Sequence, residues 1–167
     1  MASALAWPLL ASGCARAPVQ TFADGPDALA ALERLGPDWV NGTDWDLARV
    51  LHHLAQSIEY SMQGFPELRS GLFRATVGPA AFAWFDHRGR MSHGLTEPIP
   101  GAPALPNGQP LVPAITRLRA AVMAFEAHEG ALRPHFAYGP LDKAAYRRAH
   151  LMHLADHWTV ITPPTRA

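Results

Sequence analysis

Apolar residues recur at helical spacing along the chain, and residues that start or stop helices bound each stretch. Gly25-Pro26-Asp27 opens a first helix, which Gly36-Pro37 ends. The second helix lies between Asp44 and Gln63, where there is no glycine or proline, and Gly64 supplies its C-cap. Its apolar stripe consists of Leu47, Val50, Leu51, Leu54, Ile58 and Met62. Thr43 and Asp46 read as a capping-box variant, with the threonine as the N-cap.

Two further long helices are predicted in the second half of the chain. The third spans 114–129, and the last runs from about Leu141 to Ile161, where Pro163-Pro164 stop it. Two shorter helical pieces, 66–75 and 79–88, are predicted to break at Gly78-Pro79. No run of alternating apolar and polar residues indicates a strand. The pattern therefore predicts an all-α bundle of four main helices.

A long proline-rich connection separates the second and third main helices. The stretch 89–113 holds Pro98, Pro100, Pro103, Pro106, Pro110 and Pro113. A connection of this length without secondary structure usually has a function or covers a surface. We expect a crossover strap that lies on the bundle, with His93 pointing beneath it.

Three of the nine histidines stand on one face of the last predicted helix. They are His150, His153 and His157. His153 and His157 are one helical turn apart, so their imidazoles can converge on one metal ion. The alternatives are half-exposed polar groups or core rings that bond carbonyls. The residues between the pair include no glutamate, which argues against a zinc protease of the H-E-x-x-H kind.

A third ligand has to come from another helix, and the second helix offers two histidines. His52 shares a flank with Gln56, Glu59 and Gln63, a polar row typical of a solvated face. His53 shares the other flank with Ser57 and Tyr60, which resembles a pocket wall. We therefore take His53 as the third ligand and His52 as a surface residue. His150 is about two turns from His157, too far for both to reach one ion at about 2.1 Å.

Composition narrows the classes of function. The chain has 167 residues and a formal net charge of +0 with no basic run, so nucleic acid is not an expected partner. The single cysteine, Cys14, excludes an internal disulfide and a cysteine-based zinc knuckle. No segment is long and apolar enough to span a bilayer.

The N-terminal segment allows two interpretations. Leu10-Ala11-Ser12-Gly13-Cys14 resembles the small-residue box before the lipidated cysteine of bacterial lipoproteins, which predicts an exported, membrane-anchored protein with a lipid on Cys14. Against this, no Lys or Arg precedes the apolar run, as a secretory signal requires. The alternative is a frayed arm on a cytoplasmic protein.

Five phrases resemble the DinB-like superfamily of bacterial metalloproteins, and in particular an uncharacterised family of unknown function within it. They are His53-Leu-Ala-Gln-Ser-Ile-Glu-Tyr-Ser-Met-Gln-Gly-Phe-Pro66, Gly89-Arg-Met-Ser-His93, Glu97-Pro-Ile-Pro-Gly101, Pro134-His-Phe-Ala-Tyr-Gly139 and the closing histidine stripe. The resemblance covers about 22–158. It implies a four-helix bundle domain over 22–162, between an N-terminal segment 1–21 and a tail 163–167. It also implies a metal on His53, His153 and His157.

Two kinds of function follow from this site. Three imidazoles leave a tetrahedral metal one open position, as in catalytic zinc sites, and kinship implies a thiol-dependent, transferase-like enzyme that uses a small thiol. The alternative is a non-catalytic metal-binding or scaffold bundle. Zinc is favoured, and nickel, manganese and iron also fit imidazole ligands. The expected partners are a small-molecule substrate and a second copy in a homodimer.

Other residues are expected to form the pocket or to orient the ligands. They are Ser57, Tyr60, His93, His135, Tyr138, Tyr146 and His150, with Glu126 as a further candidate by residue type. His93, His135 and Tyr138 distinguish the two functions in part. Convergence on the open side of the metal indicates a reaction centre, whereas packing as anchors of turn and strap does not.

Overall fold

The chain folds into six helices and one small sheet in a computed structural model that describes residues 21–164. The helices are α1 Gly25–Glu33, α2 Leu47–Gln63, α3 Gly71–Ala75, α4 Val77–Arg88, α5 Leu111–Ala127 and α6 Lys143–Trp158. The strands are β1 Val40–Asn41 and β2 Ile161–Thr162, which pair antiparallel. The all-α prediction is confirmed. The expectation of no strand was wrong, because a pair of two-residue strands is too short to show alternation.

Helix α2 begins three residues later than predicted. Asp46 is its N-cap, and the Asp46 side chain accepts a hydrogen bond from the backbone N–H of Arg49 at 2.8 Å. Thr43 is therefore not the cap. Its hydroxyl oxygen accepts bonds from the Asn41 side-chain amide at 2.6 Å and from the Trp45 N–H. Both residues are good caps, and the turn that Thr43 holds together leaves Asp46 to begin the helix.

The core lies among α1, α2, α5 and α6. Helix α2 packs along α5, while α1 contacts α5 and α6, and α6 also contacts α2. The largest fully buried side chains include Leu32, Leu51, Leu54, Leu118, Tyr146, Leu154 and His157. A second cluster joins α4 to the other side of α6 through Phe82, Met91, Ala145, Ala149 and Met152. Helix α6 is therefore buried on more than one face.

Helices α3 and α4 meet at Thr76, and not at Gly78-Pro79 as the sequence suggested. Gly78 and Pro79 lie in the first turn of α4, where proline needs no hydrogen-bond partner. A Cβ on Gly78 would stand 1.9 Å from the backbone oxygen of Ala137. The glycine therefore marks a close backbone approach, which presses α4 against the turn that precedes α6.

The proline-rich connection docks on the N-terminus of α2. The Asn107 side chain donates to the Asp44 carbonyl at 3.0 Å and accepts from the Asp46 N–H at 3.2 Å. Further along, the Gln56 side chain donates to the Pro103 carbonyl at 3.5 Å. Gln56 is buried, so the prediction that its flank is solvated was wrong at this position. The strap covers this face, which a helical wheel cannot show.

Several predictions fall on residues outside this range. Cys14 and the proposed leader before residue 21 lie outside the described residues, as do positions 165–167 of the predicted tail. Within 21–164, no helix is both long and apolar enough to cross a membrane.

Candidate metal centre

Helices α2 and α6 bring three predicted ligands together. One nitrogen from each of His53, His153 and His157 lies within 4.8 Å of the other two. Nε2 of His53 stands 3.3 Å from Nε2 of His153. Two nitrogens bound tetrahedrally to one metal ion at about 2.1 Å would be separated by about 3.4 Å, so this spacing is compatible with two ligands of one ion.

The three rings pack against one another, and several of their nitrogens have no hydrogen-bond partner among the described residues. Their centroids are 5.1 Å apart for His53 and His153, 5.2 Å for His53 and His157, and 4.9 Å for His153 and His157. His157 is completely buried, yet neither of its nitrogens has a hydrogen-bond partner within residues 21–164. Nδ1 of His53 is also buried without a partner there. Buried polar atoms without partners are costly, so they point to a bound group.

Burial keeps these imidazoles neutral. It lowers the pKa of His53 to about 4, with smaller contributions from His93 and Arg49. Burial also lowers the pKa of His157 to about 2 and that of His153 well below 6.5, and neighbouring histidines add to both effects. A neutral imidazole offers the lone pair that a metal needs.

His93 joins this cluster from the strap. Its ring centroid lies 4.8 Å from that of His153 and 5.2 Å from that of His157. The His93 backbone N–H donates to a carboxylate oxygen of Asp156 at 3.1 Å. Nδ1 of His93 lies 3.0 Å from the Gly94 carbonyl, which can only accept, so Nδ1 bears the proton. The buried Nε2 of His93 forms no hydrogen bond within 21–164, and it lies 3.6 Å from a carboxylate oxygen of Asp156.

A cavity of about 350 Å³ opens beside the cluster. His53 and His153 form one wall, and five of the proposed pocket residues also line it: Ser57, His93, His135, Tyr138 and His150. Apolar wall residues include Met91, Ile99, Pro100 and Phe136. Arg69 and Glu97 line it too, and sequence reasoning did not propose them. Both lie on irregular connections, where no periodicity places a side chain.

A family model described as "Protein of unknown function (DUF1569)" matches residues 19–164. The chain belongs to this family. No curated protein and no solved structure gives a significant match. Every proposed site residue on α2, α6 and the strap lies inside the part of the chain that matches the family.

Two of the proposed pocket residues in this DUF1569 chain, together with Glu126, have other contacts. The Tyr146 hydroxyl donates to the Arg133 carbonyl at 2.6 Å, and burial raises the pKa of this hydroxyl above its usual range. Glu126 accepts from the Arg147 guanidinium at 2.6 Å, which lowers the Glu126 pKa. Tyr60 packs its ring on Phe65, with 5.8 Å between centroids. None of the three is among the described residues that line the cavity.

His150 and His135 are buried histidines held by hydrogen bonds. The Ser61 hydroxyl donates to the Ile58 carbonyl at 2.6 Å, so Nε2 of His150, 3.2 Å from the same oxygen, donates to it. Nδ1 of His135 accepts the backbone N–H groups of Ala137 and Tyr138, each at 3.1 Å. Burial lowers the pKa of both histidines to about 3.

His52 lies away from the cluster, as its flank of α2 predicted. It is half-buried, and its Nδ1 stands 3.4 Å from the Arg117 guanidinium, which forms an ion pair with Glu59 at 2.7 Å. Burial lowers the pKa of His52, and Arg117 adds to the effect. The adjacent positions 52 and 53 therefore serve an ion-pair network and the candidate metal site respectively.

Proposed function

We propose that this chain is a metal-dependent enzyme in which His53, His153 and His157 hold one divalent metal ion, with zinc favoured. One observation supports this above all: three neutral imidazoles converge beside a cavity that two of them line, and some of their buried nitrogens have no partner among the described residues. The fourth position is open to water or to a small thiol, as in catalytic zinc sites.

The open position is supported by the set of neighbouring side chains. Within residues 21–164, the group of candidate ligand atoms that lie within 4.8 Å of one another contains three members and no carboxylate or thiol. Asp156, the nearest acid in sequence, accepts the His93 backbone N–H. The cavity adjoins His53 and His153, which gives a small molecule access to the cluster.

Kinship with the DinB-like superfamily is part of the proposal. The resemblance predicts one histidine from the second main helix and a pair from the last, and α2 and α6 supply residues in that arrangement. A transferase-like reaction with a small thiol follows from this kinship. Such a reaction needs a centre that favours the thiolate, and a cluster of neutral nitrogens around a cation provides one.

The chain's own residues suit this chemistry. A bound divalent metal would supply positive charge that favours the deprotonated form of water or thiol. His93 lies beside the cluster with its Nε2 3.6 Å from the Asp156 carboxylate, and this pair can take up the released proton. Asp156 fixes the backbone of His93 and so holds the ring against His153.

The first test is metal content and thiol binding. Protein purified without an affinity His-tag should contain about one equivalent of metal, and the cobalt form should give a sulfur-to-metal charge-transfer band with a small thiol. His53→Ala should lose both properties, and His52→Ala should keep both. If the cobalt form gives no charge-transfer band with a small thiol, the transferase-like proposal is rejected and a non-catalytic metal-binding bundle is favoured.

A further inference from the structure

Arg69 lines the cavity and has no acidic partner among residues 21–164. Arg117, Arg119, Arg147 and Arg148 each pair with a carboxylate at 3.1 Å or less, but no ion pair within residues 21–164 involves Arg69. Its guanidinium lies over the Phe73 ring, 5.0 Å from the centroid. Arg69 lines the cavity beside the candidate metal site. Arg69 is exposed, and its five N–H donors bond no residue within 21–164, so they are available to an anionic ligand.

His135 adds a hydrogen-bond donor whose direction is fixed. Backbone N–H groups can only donate, so Nδ1 of His135, which accepts two of them, has no proton. The neutral ring then bears its proton on Nε2. Hydrogen bonding and the parallel stack on Tyr138, with 4.2 Å between centroids, hold the ring in place. His135 also lines the cavity, and its Nε2–H donates to no residue within 21–164.

Arg69 and His135 are neighbours in space. The Arg69 backbone N–H donates to the carbonyl of Phe136 at 2.9 Å, which ties the segment after α2 to the turn that contains His135. The Arg69 carbonyl in turn accepts from Nε of Arg74 at 2.9 Å. The backbone of Arg69 is therefore fixed at both of its polar groups, against the residue that follows His135.

We propose that Arg69 and His135 form an anion subsite that binds a carboxylate of the small-molecule ligand whose other end reaches the three-histidine cluster. This deepens the proposed function and rests on it for the position of that other end. A planar carboxylate matches the fork of a guanidinium. Among the described residues that line the cavity, Glu97 is an acid and Arg69 is the one guanidinium, so a dianion such as a phosphate monoester fits less well.

Pairs of thiols that differ only in charge test this subsite. We would titrate the cobalt form with ω-mercaptocarboxylates of three to six carbons and with the corresponding amides, following the charge-transfer band. The best carboxylate should bind about tenfold or more tightly than its amide. Arg69→Gln should abolish this preference, and Arg69→Lys should restore part of it. Arg34→Gln, which removes an equal charge outside the cavity, should leave the preference intact.

His135→Asn tests the second donor. Asparagine can keep an acceptor for the backbone N–H groups of Ala137 and Tyr138, but it removes the Nε2–H donor. The preference for carboxylate should fall several-fold, and the metal content should stay the same. Equal preference in this variant and the wild type would remove His135 from the subsite.

A metal-free experiment separates the two proposals. Hexanoate should shift the NMR signals of the metal-free protein at lower concentration than hexanamide, and Arg69→Gln should remove the difference. A charge-transfer band with equal affinities for acid and amide would overturn the anion subsite and leave the metal site standing. A preference for hexanoate without any thiol band would keep the subsite and overturn the open thiol site.

Discussion

In the first half of α6, Tyr146 and His150 each reach a hydrogen-bond partner, whereas in the second half both nitrogens of His157 lack one within the described range. All three side chains are buried to a similar degree. The two halves therefore differ in whether their buried polar atoms have hydrogen-bond partners, and not in how deeply the side chains are buried. Polar side chains with hydrogen-bond partners fix the packing of α6 against α2 and the preceding turn. Buried polar side chains without partners mark a candidate ligand site.

The two halves should respond in opposite ways to mutation. A buried donor or acceptor without a partner costs about 1–3 kcal/mol, so the metal-free fold tolerates a local penalty at His157. The network around Ser61 and His150 has no such penalty and contributes to stability. Changes at the second half should affect metal binding, and changes at the first half should affect the free energy of unfolding.

The largest effect is expected from His157→Leu. We expect metal affinity to fall by more than the roughly 10–100-fold that follows loss of a partner behind a ligand. The free energy of unfolding of the metal-free protein should stay equal or rise, because two unsatisfied buried atoms are replaced by apolar ones. Elemental analysis and urea denaturation measure the two quantities.

His52→Ala is the matched control for this variant, since it removes a histidine from α2 outside the cluster. It should retain the metal. Strong destabilisation of metal-free His157→Leu would contradict the idea that this half of α6 is adapted to a ligand.

The second prediction concerns acid. Folded-state pKa values near 4 for His53 and near 3 for His135 and His150 lie below the ordinary value of 6.5. At pH values between the folded-state pKa values and 6.5, the unfolded chain binds more protons than the folded chain. The free energy of unfolding should therefore fall as pH decreases from about 6.5 towards 4. The slope is at most about 1.4 kcal/mol per pH unit for each histidine.

Urea denaturation of the metal-free protein at several pH values would measure this slope. His53→Leu should flatten it by about one proton, and His87→Asn, which changes an exposed histidine, should not. Stability that is constant between pH 6.5 and 4 would show that these rings do not remain neutral in the fold.

Periodicity predicted the helices and the three-histidine group because both depend on local helical geometry. Adjacent histidines 52 and 53 point to different flanks of α2, and the wheel assigned them correctly to different surroundings. What it could not predict depends on the strap, which buries Gln56 and places His93 against His153. Arg69 was missed for the same reason: contacts between distant connections leave no pattern in sequence.

The third prediction tests the satisfied half of α6 through Ser61→Ala. The change leaves Nε2 of the buried His150 without its acceptor, so we expect a loss of about 1–3 kcal/mol in the free energy of unfolding. Metal content should not change, since Ser61 does not touch the cluster. Loss of metal in a stably folded variant would show that the two halves are coupled.

The smallest effect is expected from Tyr146→Phe, which removes only the hydroxyl that donates to the Arg133 carbonyl at 2.6 Å. A net cost of about 1 kcal/mol is typical of such a bond. Tyr138→Phe is the matched control: its ring is also packed on His135, but no described hydrogen bond involves its hydroxyl. In thermal or urea unfolding, Tyr146→Phe should therefore have a lower free energy of unfolding than Tyr138→Phe, and both variants should keep their full metal content. The reverse order would show that the Tyr138 hydroxyl, in the turn before α6, contributes more to stability than the Tyr146 hydroxyl on α6.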